Sequence, residues 1–146
     1  MEESQYIECT IMITYQTETN LSALEFKELL INSTLGERRP VDDFARIEAM
    51  VKNANLIITA RDNGKLVGVS RSVTDFVYCT YLSDLAVDIN YQKQGIGKEL
   101  IRLTKQATPQ ATTILLAAPK AVNYYPHIGM TQHNACFLLT DETDLK

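Results

Sequence analysis

The pattern of apolar and polar positions changes period several times along the chain, and each change predicts an element. Ile11-Met12-Ile13-Thr14-Tyr15, β-branched and aromatic after a polar, acidic opening at residues 1–9, predicts a first strand. Behind Asn20 as a cap, Leu21, Leu24, Phe26, Leu29, Leu30 and Ile31 recur near helical period until Gly36 and predict a first helix. Glu37-Arg38-Arg39-Pro40 breaks it. A second helix is predicted over residues 42–51, with Asp42 and Asp43 in the opening turn, where carboxylates suit the helix dipole.

Strand patterns follow. Residues 56–61 and 65–71 flank Asp62-Asn63-Gly64, a hairpin signal because Asn-Gly tolerates positive φ, so the two strands should pair antiparallel. A third strand over residues 78–87 delivers the chain to a glycine turn, and the helix after it sets Ile96, Leu100, Leu103 and Ala107 on one face before Thr108-Pro109 ends it. Arg102 and Lys105 share the opposite face with Lys98 and read most simply as a solvated helix surface. Residues 112–117 form a short buried strand, so strand, helix and strand imply a right-handed parallel crossover. Pro119 opens a short helix through Tyr125 that Gly129 closes, and residues 135–139 supply a last strand. The expected fold class is α/β (α+β): a mixed sheet flanked by helices in the order β-α-α-β-β-β-α-β-α-β, one domain over residues 1–146 with its core at about 11–139.

Composition narrows the function. A length of 146 residues with 45% apolar content supports a core without metals or disulfides, and a net charge of −4 argues against nucleic acid as the main partner. Cys9, Cys79 and Cys136 are odd in number and far apart, which fits reduced thiols rather than a zinc site. No basic leader and no apolar run of spanning length is visible, so the expectation is a cytoplasmic protein with no membrane partner.

The glycine turn carries the first candidate chemistry. Strand residues Leu85, Ala86 and Val87 run through Asp88-Ile89-Asn90-Tyr91 into Gln92, Lys93, Gln94, Gly95, Ile96, Gly97 and Lys98. The helix start leaves N–H groups without partners, the dipole adds about half a positive charge, and glycines let an anion approach the backbone. Lys93 and Lys98 oppose that dipole unless an external anion lies between them. A Walker A loop would need glycine at Gln92 and Ser or Thr at Glu99, and a dinucleotide fingerprint would need a small residue at Leu100. What remains, Gln-x-x-Gly-x-Gly, resembles the acetyl-coenzyme A loop of the GNAT superfamily of N-acetyltransferases, which grips the cofactor's pyrophosphate. Ala121-Val122-Asn123-Tyr124-Tyr125-Pro126-His127-Ile128-Gly129-Met130 is similar to that family's second signature, with Tyr125 on its tyrosine and Gly129 on its glycine. Tyr124, Pro126 and Met130 depart from the usual pattern, and Ala117-Ala118 stands where many members carry a cofactor-touching Asn.

The resemblance implies transfer of an acetyl group from acetyl-CoA to a primary amine of a small molecule or protein, by direct attack in a ternary complex and without a metal. Such a reaction needs a neutral amine, a donor for the oxyanion and a proton for the leaving thiolate. N–H groups freed by a bulge or splay at Leu85 to Val87 suit the oxyanion and an amide-rich pantetheine arm. Tyr125 is the candidate acid, since a phenol of pKa about 10 stays protonated where a thiol of about 8.5 begins to ionise; packing of a helix is its alternative role. For the base, members of the family often carry Glu or His where this chain has Tyr81 and Ser83. The choices are Asp84, which strand alternation puts on the opposite face from Tyr81 and Ser83, or a water relayed by those two. His127 and His133 read as surface histidines. Arg38, Arg39 and Tyr81 are candidates for setting acceptor choice, with ion pairs to Asp42 or Asp43 as the structural alternative for the arginines. A transferase of longer acyl groups, or a non-catalytic acyl-CoA-binding module that has lost its base, fits the same motifs, and a homodimer is left open.

Overall fold

The computed structural model describes residues 11–146, so the opening residues 1–9, Cys9 included, fall outside the described residues. It divides into two compact units, one ending at Leu115 and the other spanning Leu116–Lys146. In the first, five strands lie in chain order: β1 (Ile13–Thr17), β2 (Leu56–Asp62), β3 (Lys65–Thr74), β4 (Cys79–Val87) and β5 (Thr112–Ile114). The first four pair antiparallel, and β5 joins β4 in parallel after the crossover through α3 (Ile96–Ala107). Asn63 and Gly64 take φ of 48° and 86°, as the β2–β3 hairpin requires.

Helices cover both faces of the sheet. Helices α1 (Ala23–Asn32) and α2 (Phe44–Asn53) bury Phe26, Leu29, Leu30, Ile47 and Val51 against Ile57, Leu66, Val69 and Ala86. Ser22, not Asn20, caps α1, its hydroxyl accepting from the Glu25 N–H at 3.3 Å. Asp43 caps α2, and a 3₁₀ turn at Leu35–Arg38 fills the connection. On the other face, Ile96 and Leu100 of α3 pack on Leu56, Ile58, Ala60 and Val67. Gly68 sets the depth of that helix: a Cβ there would lie 3.0 Å from Ile96 Cγ2 and 3.1 Å from Leu100 Cδ1. The start of α3, and with it the glycine turn, is therefore located by a bare patch of β3.

The second unit is less regular than the sequence pattern suggests. The helix expected from Pro119 breaks into a 3₁₀ turn at Pro119–Ala121 and a four-residue helix α4 (Tyr124–His127), closed by Gly129 at φ 102°. The strand expected at residues 135–139 does not form, and β5 stops at Ile114 rather than Ala117. Strand propensity becomes structure only where a paired neighbour takes up the backbone groups, and residues 135–139 join no ladder. The mixed sheet flanked by helices is otherwise as expected.

One ion cluster ties β1, α1 and β2 together. Arg61 grips Glu18 with two bonds of 2.6 and 3.0 Å and donates to Glu25 at 2.8 Å, while the Thr59 hydroxyl donates to Glu18 at 2.7 Å. Chiefly through the Arg61 hydrogen bond, the Glu18 carboxyl is held down to a pKa of about 2. A depressed carboxylate stabilises the fold above its unfolded pKa, and the gain fades as pH falls through the folded one. The melting-temperature gap between wild type and Glu18→Gln is therefore full near neutrality and closes as pH falls from about 4.5 to about 2. Thermal melts across that range read it; a gap independent of pH contradicts it.

Candidate active site

The parallel β4–β5 ladder is short: Cys79, Thr80 and Tyr81 pair with Thr112, Thr113 and Ile114, and there it stops. On its inner edge β4 stays paired with β3 as far as Val87 opposite Gly68. Among the described residues the outer edge of β4 beyond Tyr81 thus has no strand paired to it, and alternate N–H and C=O groups along residues 82–87 lie on that edge. The opening at Leu85, Ala86 and Val87 comes from this splay. The bulge lies upstream: Arg71 pairs with Asp84 and Ser72 with Leu82, so Ser83 is the extra residue.

The chain then turns under tight control. The Asp88 N–H donates to the Val67 carbonyl at 2.8 Å, its carboxylate accepts from the Asn90 N–H at 2.9 Å, and the Tyr91 hydroxyl donates to Asp62 at 2.7 Å. Gln92 bends back to donate its side-chain amide to the Val87 carbonyl at 3.0 Å, so it fastens the turn to the strand end. Lys93 adopts φ 63° and Gly95 φ 82°, and α3 begins at Ile96 with no side chain capping its N–H groups. A Cβ on Gly95 would meet nothing within 4 Å, so the approach is open. Ile96 anchors the turn from below, Gln94 is exposed, and Gly97 is half-buried. Lys93 and Lys98 are exposed with no ion-pair partner among the described residues, whereas Glu99 is taken by Arg102 at 2.6 Å. Lys105 donates to the Pro109 and Ala111 carbonyls and closes the far end of the helix. An uncapped N-terminus flanked by two exposed lysines has the donors and the charge that suit an anion.

Asp84 is an anchor. It has no exposed surface, and its two oxygens are held separately by Arg39 Nε and Arg71 Nε. Arg39 thus pairs with Asp84 and with neither Asp42 nor Asp43, and its Nη2 donates to the Ser83 carbonyl at 2.9 Å. Arg38 is exposed, and its carbonyl accepts from Arg39 Nη1. Strict alternation fails at the bulge: Arg71 donates both to Asp84 and, at 3.1 Å, to the Ser83 hydroxyl, so these two neighbours meet one guanidinium. A carboxylate so enclosed has no opening toward an amine. Tyr81 is exposed and Ser83 half-buried. Arg71 was not singled out from sequence, although an arginine two positions after the buried Val69 of an apolar strand demands a carboxylate partner.

In the second unit, the Tyr124 and Tyr125 rings meet edge to face at 5.3 Å. Burial, with a smaller contribution from Tyr124, pushes the Tyr125 hydroxyl above its ordinary pKa, so it keeps its proton throughout the physiological range. His127 is exposed, and His133 Nδ1 accepts from the Ala135 N–H. No group of three or more metal-ligating side chains gathers among the described residues.

A family model described as an acetyltransferase (GNAT) domain matches residues 28–137. The chain belongs to the GNAT family. An uncharacterized N-acetyltransferase, ycf52, of Pyropia yezoensis is 28% identical over 124 residues, which cover 80% of this chain and 69% of that protein. Among solved structures, an aminoglycoside acetyltransferase from a soil metagenomic sample, in complex with sisomicin, superposes with TM-score 0.67 and 21% identity over 89% of this chain and 97% of its own. The aminoglycoside N-acetyltransferase AAC(6')-Iy, in complex with CoA, does so with TM-score 0.71 and 12% identity over 93% of this chain and 99% of its own. This GNAT member is an acyltransferase.

The residues present fit coenzyme A: the uncapped start of α3, open at Gly95 and flanked by two unpaired lysines, suits a pyrophosphate, and the free edge of β4 suits an arm of amides. Gly95→Glu therefore abolishes coenzyme A binding in calorimetry while the protein stays folded. Non-glycine residues cost about 1–2 kcal/mol at such a φ, Asn less, so Gly95→Asn is the control for backbone strain. Unchanged affinity in folded Gly95→Glu removes the turn from the site.

Proposed function

We propose that this GNAT enzyme moves an acetyl group from acetyl-CoA to the primary amine of a small molecule or peptide by direct attack. The observation that carries the reading is the continuity, within one unit, of an unpaired β4 edge with an uncapped, glycine-bent helix start. Acetyl-CoA supplies the activated acetyl thioester. The α3 N–H groups with Lys93 and Lys98 hold its pyrophosphate, and outward N–H groups among Leu85, Ala86 and Val87 hold the amide arm and the developing oxyanion. Tyr125 gives its proton to the departing sulfur; the support is its place in the second signature and a hydroxyl that burial keeps protonated. With Asp84 committed to two arginines, the amine's proton passes to a water held by Tyr81 and Ser83. A small polyamine is the favoured acceptor class, since the structural neighbours include aminoglycoside acetyltransferases.

A second reading has one specific observation behind it. The only carboxylate on β4 before the turn is locked in ion pairs, as in a module that binds acyl-CoA without a base. Thiol release from acetyl-CoA, followed over spermidine, L-lysine, sisomicin and a lysine-bearing peptide, separates the two. An amine-dependent rate supports the enzyme, and tight binding with none supports the module. With the best amine, Tyr125→Phe should lower turnover by roughly 10²-fold while coenzyme binding stays within a few fold, as expected for a lost general acid. Equal turnover at saturation, with chemistry rate-limiting, demotes Tyr125 to packing.

A further inference from the structure

Three elements converge on the β4 bulge. Arg39 comes from the α1–α2 connection, Arg71 from β3 and Asp84 from β4, and both arginines also reach Ser83, one at its carbonyl and the other at its hydroxyl. Arg71 further donates to the Met50 carbonyl of α2 at 3.1 Å. Two guanidinium groups share one carboxylate at a place where apolar residues would serve stability as well, so burial energy alone does not account for them. The bulge they hold lies two residues past Tyr81, where the β4–β5 ladder ends. A bulge bends its strand and increases the twist, so β4 changes course just beyond the point where its pairing with β5 ends.

We propose that Arg39, Asp84 and Arg71 are positioning residues for acyl transfer: they fix the Ser83 bulge, hence the direction of the open β4 edge, and lock the α1–α2 connection to it. The functional part rests on the acetyltransferase reading above; the mechanical part does not. Arg39 sits at the join with its side chain 22% exposed, so it can be changed without emptying the core. Arg39→Lys keeps the charge for Asp84 but loses the fork that also holds the Ser83 carbonyl. Ser83→Ala removes the hydroxyl bond to Arg71 and also one of the two groups proposed to hold the water, so its amide exchange and not its turnover reports on the bulge.

Hydrogen exchange, coenzyme A calorimetry and steady-state kinetics with whichever of spermidine, L-lysine, sisomicin and the lysine peptide turns over test this together. In Arg39→Lys, amides of residues 82–85 and 35–39 should exchange at least about tenfold faster while the other strands keep their protection. Coenzyme A affinity, held by the glycine turn, should stay within about threefold, and kcat should fall about tenfold or more with little change in KM for the amine. Ser83→Ala should show the same faster exchange at residues 82–85 more weakly, and if Arg39→Lys does not fold those exchange data decide whether the cluster holds the bulge, unchanged exchange overturning it. Unchanged exchange at residues 82–85 in a folded variant overturns the proposal, as does faster exchange with unchanged kcat. If wild type binds no coenzyme A, the acetyltransferase reading fails, while the exchange data still decide whether the cluster holds the bulge.

Discussion

A parallel strand pair that ends after three residue pairs is the constraint on which the site depends. Outward N–H and C=O groups of a strand must find partners, and in a sheet interior the next strand supplies them. Here β5 leaves after Ile114 and β4 continues for six more residues with only one edge paired. Such an edge attracts an extended, amide-bearing molecule by the same hydrogen bonds that build sheets. Its forward end runs straight into the positive end of a helix. A ligand with a peptide-like arm and an anionic head matches both features in the order in which they occur.

The rest of the first unit keeps those two features in register. Gly68 lets α3 press against the sheet, and the bonds among Asp62, Tyr91, Asp88 and Val67 fasten the turn between strand and helix. On the opposite face, Asp84 and its two arginines occupy a position that apolar side chains fill elsewhere. Removing one partner from a buried ion pair typically costs about 3–5 kcal/mol, so the cluster resists piecemeal change. A net charge of −4 makes the local excess of cation at Lys93 and Lys98 more selective, because the remaining surface repels anions.

Much of this was legible in the sequence because it is local. The Asn63-Gly64 hairpin, the 3.6-residue period of α3, and the run from apolar strand to glycine turn each depend on residues close along the chain. What escaped depends on partners far away. The Ser83 bulge arises from pairing with β3, Arg39 meets a carboxylate 45 residues on, and Arg71 meets the same one 13 residues on. Period-two alternation therefore placed Ser83 and Asp84 on opposite faces, and the bulge brought them to one guanidinium. Residues 135–139 carry strand propensity but gain no ladder, which propensity cannot reveal. Ser22 displaced Asn20 as a cap by two positions, a boundary error of the usual kind.

The central claim is that the free β4 edge and the start of α3 together bind coenzyme A. Backbone amide NMR of the folded protein, titrated with coenzyme A, tests it most directly. The account predicts that the largest shifts fall on residues 85–87 and 93–98 and saturate together, with the groove between β1 and α3, lined by Tyr15, Ile58 and Leu103, unaffected. Saturating shifts confined to that groove, or to any surface other than the β4 edge and the glycine turn, contradict it.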